Sequence, residues 1–222
     1  MKAFEFPGAY RDARGEELII WHIQPSARPG WVNRYEIQTT IRAVAVWGGD
    51  FDALSPSDPN EAGIDALSLE HGDLTNCVLV GDLPCEMSGG GPMLTNSIRF
   101  VLDLRPTAVQ NRARPGNLEL SALVDGTKVE VTDDWFEEGL QRLESQMPAP
   151  FRLKCCVTCL YSDYSPAGHG LMGMRCHRGA KAEYLAVRSK HDYWAVPVTE
   201  DVPETYVCEE YARRIPGTGY RG

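Results

Sequence analysis

The sequence has no run approaching the roughly 20 apolar residues a membrane span requires, and its opening stretch, Met1-Lys2-Ala3-Phe4-Glu5-Phe6-Pro7, holds no apolar run of signal-peptide length. No Asn-x-Ser/Thr acceptor occurs. Positive charge is scarce. Lys and Arg number 22 against 31 Asp and Glu, a net charge of −9. Phosphate binding draws mainly on Lys and Arg, so the chain is a poor candidate for wrapping duplex nucleic acid, and binding through its basic stretch is the weakest of three function classes. Several catalytic signatures are also missing. There is no Gly-x-Ser-x-Gly elbow and no His-Glu-x-x-His, and Ser88–Pro92 lacks the Gly-Lys-Ser/Thr ending of a P-loop. A cytoplasmic protein is the expectation.

The 222 residues are 43% apolar and 24% charged, ordinary for a soluble globular chain. That length can bury a core without disulfides. Cysteine usage is informative. Of seven cysteines, Cys77 and Cys85 lie in apolar surroundings that suit buried thiols, while Cys155, Cys156, Cys159, Cys176 and Cys208 fall in the last third. An odd, clustered set reads as metal-binding or reactive thiols rather than a disulfide framework.

The first two thirds read as β-rich. Glu17–Ile23 is a short apolar run. Tyr35, Ile37, Thr39, Ile41, Ala43, Ala45 and Trp47 alternate, which predicts one long strand stopped by Gly48-Gly49-Asp50. Leu54–Gly63 reads as a loop. Leu74–Leu83 and Ser97–Leu104 are further strands, and Asp125-Gly126 marks a hairpin. One helix is expected, with Thr132 as its cap and Phe136, Leu140, Leu143 and Met147 on one face; Pro148 and Pro150 end it. Composition and charge change there. Residues 1–150 hold 12 Lys/Arg against 23 Asp/Glu, and residues 151–222 hold 10 against 8. The basic stretch Arg175, Arg178, Lys181, Arg188 and Lys190 reads as a solvated face.

Cys156 and Cys159 form a C-x-x-C pair, Cys176 follows after 16 residues and Cys208 after 31 more. Four thiolates from one turn and two later elements can make a closed tetrahedral site, with zinc as the default occupant. An iron–sulfur cluster also takes four cysteines. A redox C-x-x-C belongs at the start of a helix in a βαβ setting, which is missing here. Cys155 either replaces Cys156 or packs as a spare thiol. Asp163, His169 and His177 read as loop or supporting residues, because four thiolates leave no open position. Gly168-x-Gly170-x-x-Gly173 matches a dinucleotide fingerprint only in letters, since it lies in a loop between cysteines.

Taken together, Cys156–Cys159, Ser162-Asp163-Tyr164-Ser165-Pro166-x-Gly168, Cys176, Glu204-Thr205-Tyr206-Val207-Cys208 and Thr218-Gly219-Tyr220-Arg221-Gly222 resemble an uncharacterised bacterial family found in actinobacteria and other groups. The resemblance implies a bacterial origin and that Cys156, Cys159, Cys176 and Cys208 belong together. It implies no activity, so no catalytic residue is carried over.

The expected fold is α+β: a predominantly antiparallel β domain over 1–150 ending in a helix, and a small four-cysteine metal module over 151–222 packed on it. The expected role is binding or assembly with a protein partner, the metal being structural. The alternative is an enzyme whose pocket is walled by the 161–173 loop, with Asp163, Tyr164 and His169 as polar groups. A deep cleft beside that loop, holding a perturbed ionisable group, would favour the alternative.

Overall fold

The computed structural model describes residues 1–31, 34–89, 94–105, 118–166 and 170–220, with the side chain of Leu94 excluded. One antiparallel sheet dominates it. Its strands are β1 (Phe4–Asp12), β2 (Gly15–Pro25), β3 (Tyr35–Ile41), β4 (Val44–Gly48) and β5 (Ser55–Pro56), followed after the small pair β6 (Leu69–Glu70) and β7 (Asp73–Leu74) by β8 (Val78–Ser88), β9 (Leu94–Asp103), β10 (Leu118–Val124) and β11 (Thr127–Asp133). The order across the sheet is β11-β10-β9-β8-β1-β2-β3-β4-β5. Two-residue β5 is one edge and β11 the other.

The turns explain the strand breaks. Asp125 (φ 48°) and Gly126 (φ 76°) make the expected hairpin between β10 and β11. The predicted single strand from Tyr35 to Trp47 is instead a hairpin. Arg42 and Ala43 both take positive φ, 51° and 64°, and Ile41 pairs with Val44. The fold reverses the inward parity there: Tyr35, Ile37, Thr39 and Ile41 are buried on β3, but Val44 and Val46 rather than Ala43 and Ala45 are buried on β4. Left-handed backbone costs a non-glycine residue roughly 1–2 kcal/mol. Arg42 is held in it by its own contacts: its N–H donates to Glu17 (2.8 Å), and its guanidinium donates to the Ala66 carbonyl (2.7 Å) and pairs with Asp12.

The inner face of the sheet carries an aromatic chain. Trp21 meets Phe51 (5.0 Å between centroids), Phe51 meets Phe100 (4.7 Å), and Phe100 meets Phe136 (5.6 Å). Gly8 and Gly81 face each other across β1 and β8. A Cβ on Gly8 would come within 2.2 Å of the Trp21 indole nitrogen, and one on Gly81 within 2.3 Å of Phe100. The two glycines are therefore what lets the large rings lie against the sheet.

Helix α1 (Phe136–Gln146) covers this face through Phe136, Leu140 and Leu143. Thr132 does not cap it. Thr132 sits in β11, the N-cap is Trp135, and no side chain makes the cap bond.

The chain after α1 returns to the sheet. β12 (Arg152–Lys154) pairs with β8, and Leu153, Cys155, Val157, Tyr164, Leu171, Met172, Met174 and Val202 join the same hydrophobic core as the sheet residues. A three-stranded sheet of β13 (Ser162–Asp163), β14 (Met174–Cys176) and β15 (Glu200–Val202) carries the two short helices α2 (Lys181–Leu185) and α3 (Lys190–Ala195). Tyr184, Val187, Tyr193 and Val196 form a second cluster.

Tyr193 and Trp194, neighbours on α3, are not anchors on the large sheet. Adjacent residues on a helix point about 100° apart. Tyr193 turns inward onto His177 and Tyr220, while Trp194 stays 51% exposed beside Arg175. The last segment is tied back by Arg213, whose guanidinium grips both oxygens of Glu144 on α1 (2.8 and 2.9 Å). Among the described residues no helix is long and apolar enough to cross a membrane.

Candidate functional site: a thiol cluster beside a cleft

Backbone pairing gathers the cysteines. Cys156–Thr158 is a single 3-10 turn, anchored where Cys156 N–H donates to the Tyr206 carbonyl (2.7 Å) and Val157 N–H to that of Glu204 (2.9 Å). That brings the Glu204–Cys208 stretch alongside the C-x-x-C turn. Cys159 bridges to Arg213, and Ser162 pairs with Cys176 across β13 and β14.

All the cysteines are free thiols; Cys156, Cys159 and Cys176 are buried and Cys208 is half-buried. Burial pushes the Cys156 thiol well above its usual range, and Cys159, Cys176, Cys155 and Cys208 add to that push. Each of the two middle sulfurs takes a hydrogen bond from the residue two positions on. Tyr161 N–H reaches Cys159 Sγ (3.5 Å), and Arg178 gives Cys176 both its backbone N–H and its guanidinium (3.4 Å). Arg178 and Lys181 also pair with Glu210, so cations line this rim.

Cys155 belongs elsewhere. It is fully buried, accepts N–H groups of Val157 and Thr158, and has Cys85 and Glu144 as its electrostatic neighbours. Among the described residues, no group of three or more His, Cys, Asp or Glu is already placed to hold a metal ion. The thiols are neighbours rather than a closed tetrahedron.

Asp163 and His177 are interior. Asp163 accepts from the Tyr184 hydroxyl (2.8 Å), and the His177 ring stacks on Tyr184 at 4.9 Å. Both His177 nitrogens are engaged, by the Pro197 carbonyl (2.9 Å) and the Tyr193 hydroxyl (3.0 Å). His169 and Gly168 lie outside the described residues.

A cleft of about 430 Å³ opens where β14 meets the β3–β4 end of the large sheet. Its walls include Trp31, Arg34, Tyr35, Trp47, Asp50 and Arg175, with Ser165, Gly170, Met172 and Gly173 from the 161–173 loop. The sequence reading took Gly48-Gly49-Asp50 as no more than a strand stop. In the fold Asp50 clasps the two walls together, because its carboxylate accepts the N–H of Phe51 (2.8 Å) and of Met172 (3.1 Å). Gly170 has to be glycine-sized here, since a Cβ would lie 2.5 Å from the Asp50 oxygen.

Behind the cleft, Glu204 is 1% exposed. One of its oxygens accepts from Gly173 N–H (2.7 Å), and neither the other oxygen nor the Tyr35 hydroxyl has a partner among the described residues. Burial pushes the Glu204 carboxyl up to about 8 and the carboxyl of Asp50, with Asp52 close by, well above its usual range.

The sign of the resulting pH dependence is fixed. The folded state holds a proton on Glu204 that the unfolded chain releases near 4.5. The stability it contributes is therefore complete below about pH 4.5 and is lost as pH rises to about 8. At about 1.4 kcal/mol per pH unit the loss is at most a few kcal/mol. Urea midpoints of the wild type should fall between pH 5 and 8, and Glu204→Gln should flatten that fall; equal slopes for the two proteins would refute it.

A model of one protein family matches residues 4–162. The chain belongs to DUF6304, a family of unknown function. The match spans the large sheet, α1 and the Cys156–Cys159 turn, and ends before Cys176 and Cys208. No curated protein matches the chain, and no solved structure does.

Proposed function

We propose that this DUF6304 chain is a metal-stabilised binding protein, in which zinc held by Cys156, Cys159, Cys176 and Cys208 fixes the C-terminal wall of the cleft. One observation supports the reading: Cys159, Cys176 and Cys208, from three separate stretches, are all electrostatic neighbours of Cys156, and Cys176 ends β14, the strand that supplies Met174 and Arg175 to the cleft. Four thiolates bound to Zn²⁺ leave a net charge of −2, which Arg178, hydrogen-bonded to Cys176, and Lys181 reduce only in part, since they also pair with Glu200 and Glu210. The N–H bonds to Cys159 and Cys176 suit thiolate acceptors. With four protein ligands the metal keeps no open position, so its role is structural. A cytoplasmic setting goes with this reading, because clustered thiols keep metal best where they stay reduced.

Metal analysis of the purified protein tests the proposal. It expects one zinc per chain and X-ray absorption showing four sulfurs at about 2.3 Å. A coloured protein with iron and labile sulfide would replace zinc by a cluster on the same cysteines. Absence of both metals from protein purified under reducing conditions would reject the site.

Binding itself has two surfaces to use. The cleft suits a small molecule. The outer face of β2, where Leu18 is 81% and Ile20 46% exposed, suits a protein partner. The second reading, an enzyme working in the cleft, is favoured by Asp50 and Glu204, since buried carboxyls with raised proton affinity are suited to acid–base work.

A further inference from the structure

The hydrogen-bonding groups of the cleft divide unequally. Its acceptors are already used: Asp50 takes two backbone N–H groups, and Asp201 is paired with Arg34 at 3.6 Å. The Ser55 hydroxyl is spent on Asp73. Its donors are not. The Tyr35 hydroxyl is buried and without a partner among the described residues, and burial keeps that phenol protonated. Arg175 stands opposite Asp201 across β14 and β15 and favours that carboxylate's charge without closing to an ion pair among the described residues; its guanidinium lies 5.8 Å from the Trp194 ring. Arg34 is more than half exposed and shares Asp201 with solvent.

The wall balances two cations, Arg34 and Arg175, with two carboxylates, Asp50 and Asp201, and Asp50 is turned onto backbone N–H groups, so in a chain of net charge −9 the cleft is a place where cations are not outnumbered. The remaining large wall groups are flat. Trp31 and Trp47 meet at 5.6 Å and 62°, and both are partly exposed. The Arg28 guanidinium covers one Trp47 face at 3.4 Å, so Trp31 and the rest of Trp47 are what a planar ring can stack on, while Arg34, Arg175 and the Tyr35 phenol are the donors an anionic head would meet, with Asp201 beside the two guanidiniums.

We infer that the cleft binds a small planar anion, its ring against Trp31 and Trp47 and its carboxylate or phosphate monoester head toward Arg34, Arg175 and Tyr35. This rests on the cleft being the binding site, and it does not depend on the metal. About 430 Å³ is within the usual size of small-molecule sites.

A set of compounds with one ring and different heads tests it by calorimetry on the full chain: 2-naphthoate, 2-naphthyl phosphate, 2-naphthalenemethanol and 2-naphthylmethylammonium, with benzoate and phenyl phosphate as smaller rings. At least one anion should bind tenfold or more tightly than the alcohol and the ammonium. Whether carboxylate or phosphate leads identifies the head. Arg34→Gln and Tyr35→Phe should each weaken the anion at least fivefold and leave the alcohol unchanged. Arg11→Gln, at the far end of β1, should change neither. Arg34 is exposed, so its variant keeps the test valid even where Tyr35→Phe disturbs folding; melting curves check both. Tighter binding of the alcohol or the ammonium would overturn the ligand class and leave the cleft as a site. No binding by any compound below about 10 mM would overturn the site with it.

Discussion

Stripping the metal by a strong chelator at neutral pH is expected to release one zinc per chain and to lower the thermal midpoint by roughly 10 °C or more. Structural zinc contributes about 10–16 kcal/mol to small peptides that fold only around it. Here the sheet has its own core, so a smaller share, about 4 kcal/mol, is expected at the level of the whole chain. For 150–250 residues 1 kcal/mol moves the midpoint about 2–4 °C. Cys176→Ser should reproduce the effect without chelator. Cys77→Ser, which changes a thiol buried in the sheet with its proton affinity raised to about 12, should keep its metal.

The loss should also be cooperative. Tyr164, Leu171, Met174 and Cys176 share one core with Trp21 and Phe100, so the buried Trp21 should report the same transition as the exposed Trp194. Chelation that leaves midpoint and metal content unchanged would remove the metal from the account, and melting confined to the last third would show two independent units.

Phe51→Ala is expected to cost about 3–5 kcal/mol, the usual range for removing a fully buried aromatic ring. Phe51 is 0% exposed and touches Trp21, Phe100 and Phe136, so its loss leaves a hole that three rigid neighbours cannot close. It also follows Asp50, whose carboxylate accepts its N–H. That backbone N–H survives the substitution, so the loss is one of packing, whereas Phe4→Ala, half-buried at the rim of the core, should lose much less stability. Denaturant titration of both proteins checks this, and a cost below about 1 kcal/mol for Phe51→Ala would refute the role of the ring.

What could be read from the sequence was what is local. Asp125-Gly126 forces its hairpin by backbone conformation alone, and Phe136, Leu140 and Leu143 mark the helix face by spacing. The Arg42–Ala43 turn was hidden because neither residue favours left-handed backbone; its support comes from Glu17, Asp12 and Ala66, distant in sequence. The cysteines were legible as a set because thiols are rare and their clustering stands out. One wall of the cleft was legible as the 161–173 loop; the rest was not, because Trp31, Tyr35, Asp50, Arg175 and Glu204 come from four separate stretches and follow no spacing rule.

The two margins of the large sheet bear on how the protein behaves at high concentration. An unpaired strand margin is a template on which another chain can add, and long flat margins seed aggregates. One margin here is β5, two residues long and closed by Pro56, which has no N–H to give. The other, β11, sets Lys128, Glu130 and Thr132 outward between the buried Val129 and Val131. Among the described residues, an incoming strand would meet a proline at one margin and a strand carrying Lys128 and Glu130 at the other. Residues that contribute little to the core thus work against edge-to-edge growth of the sheet.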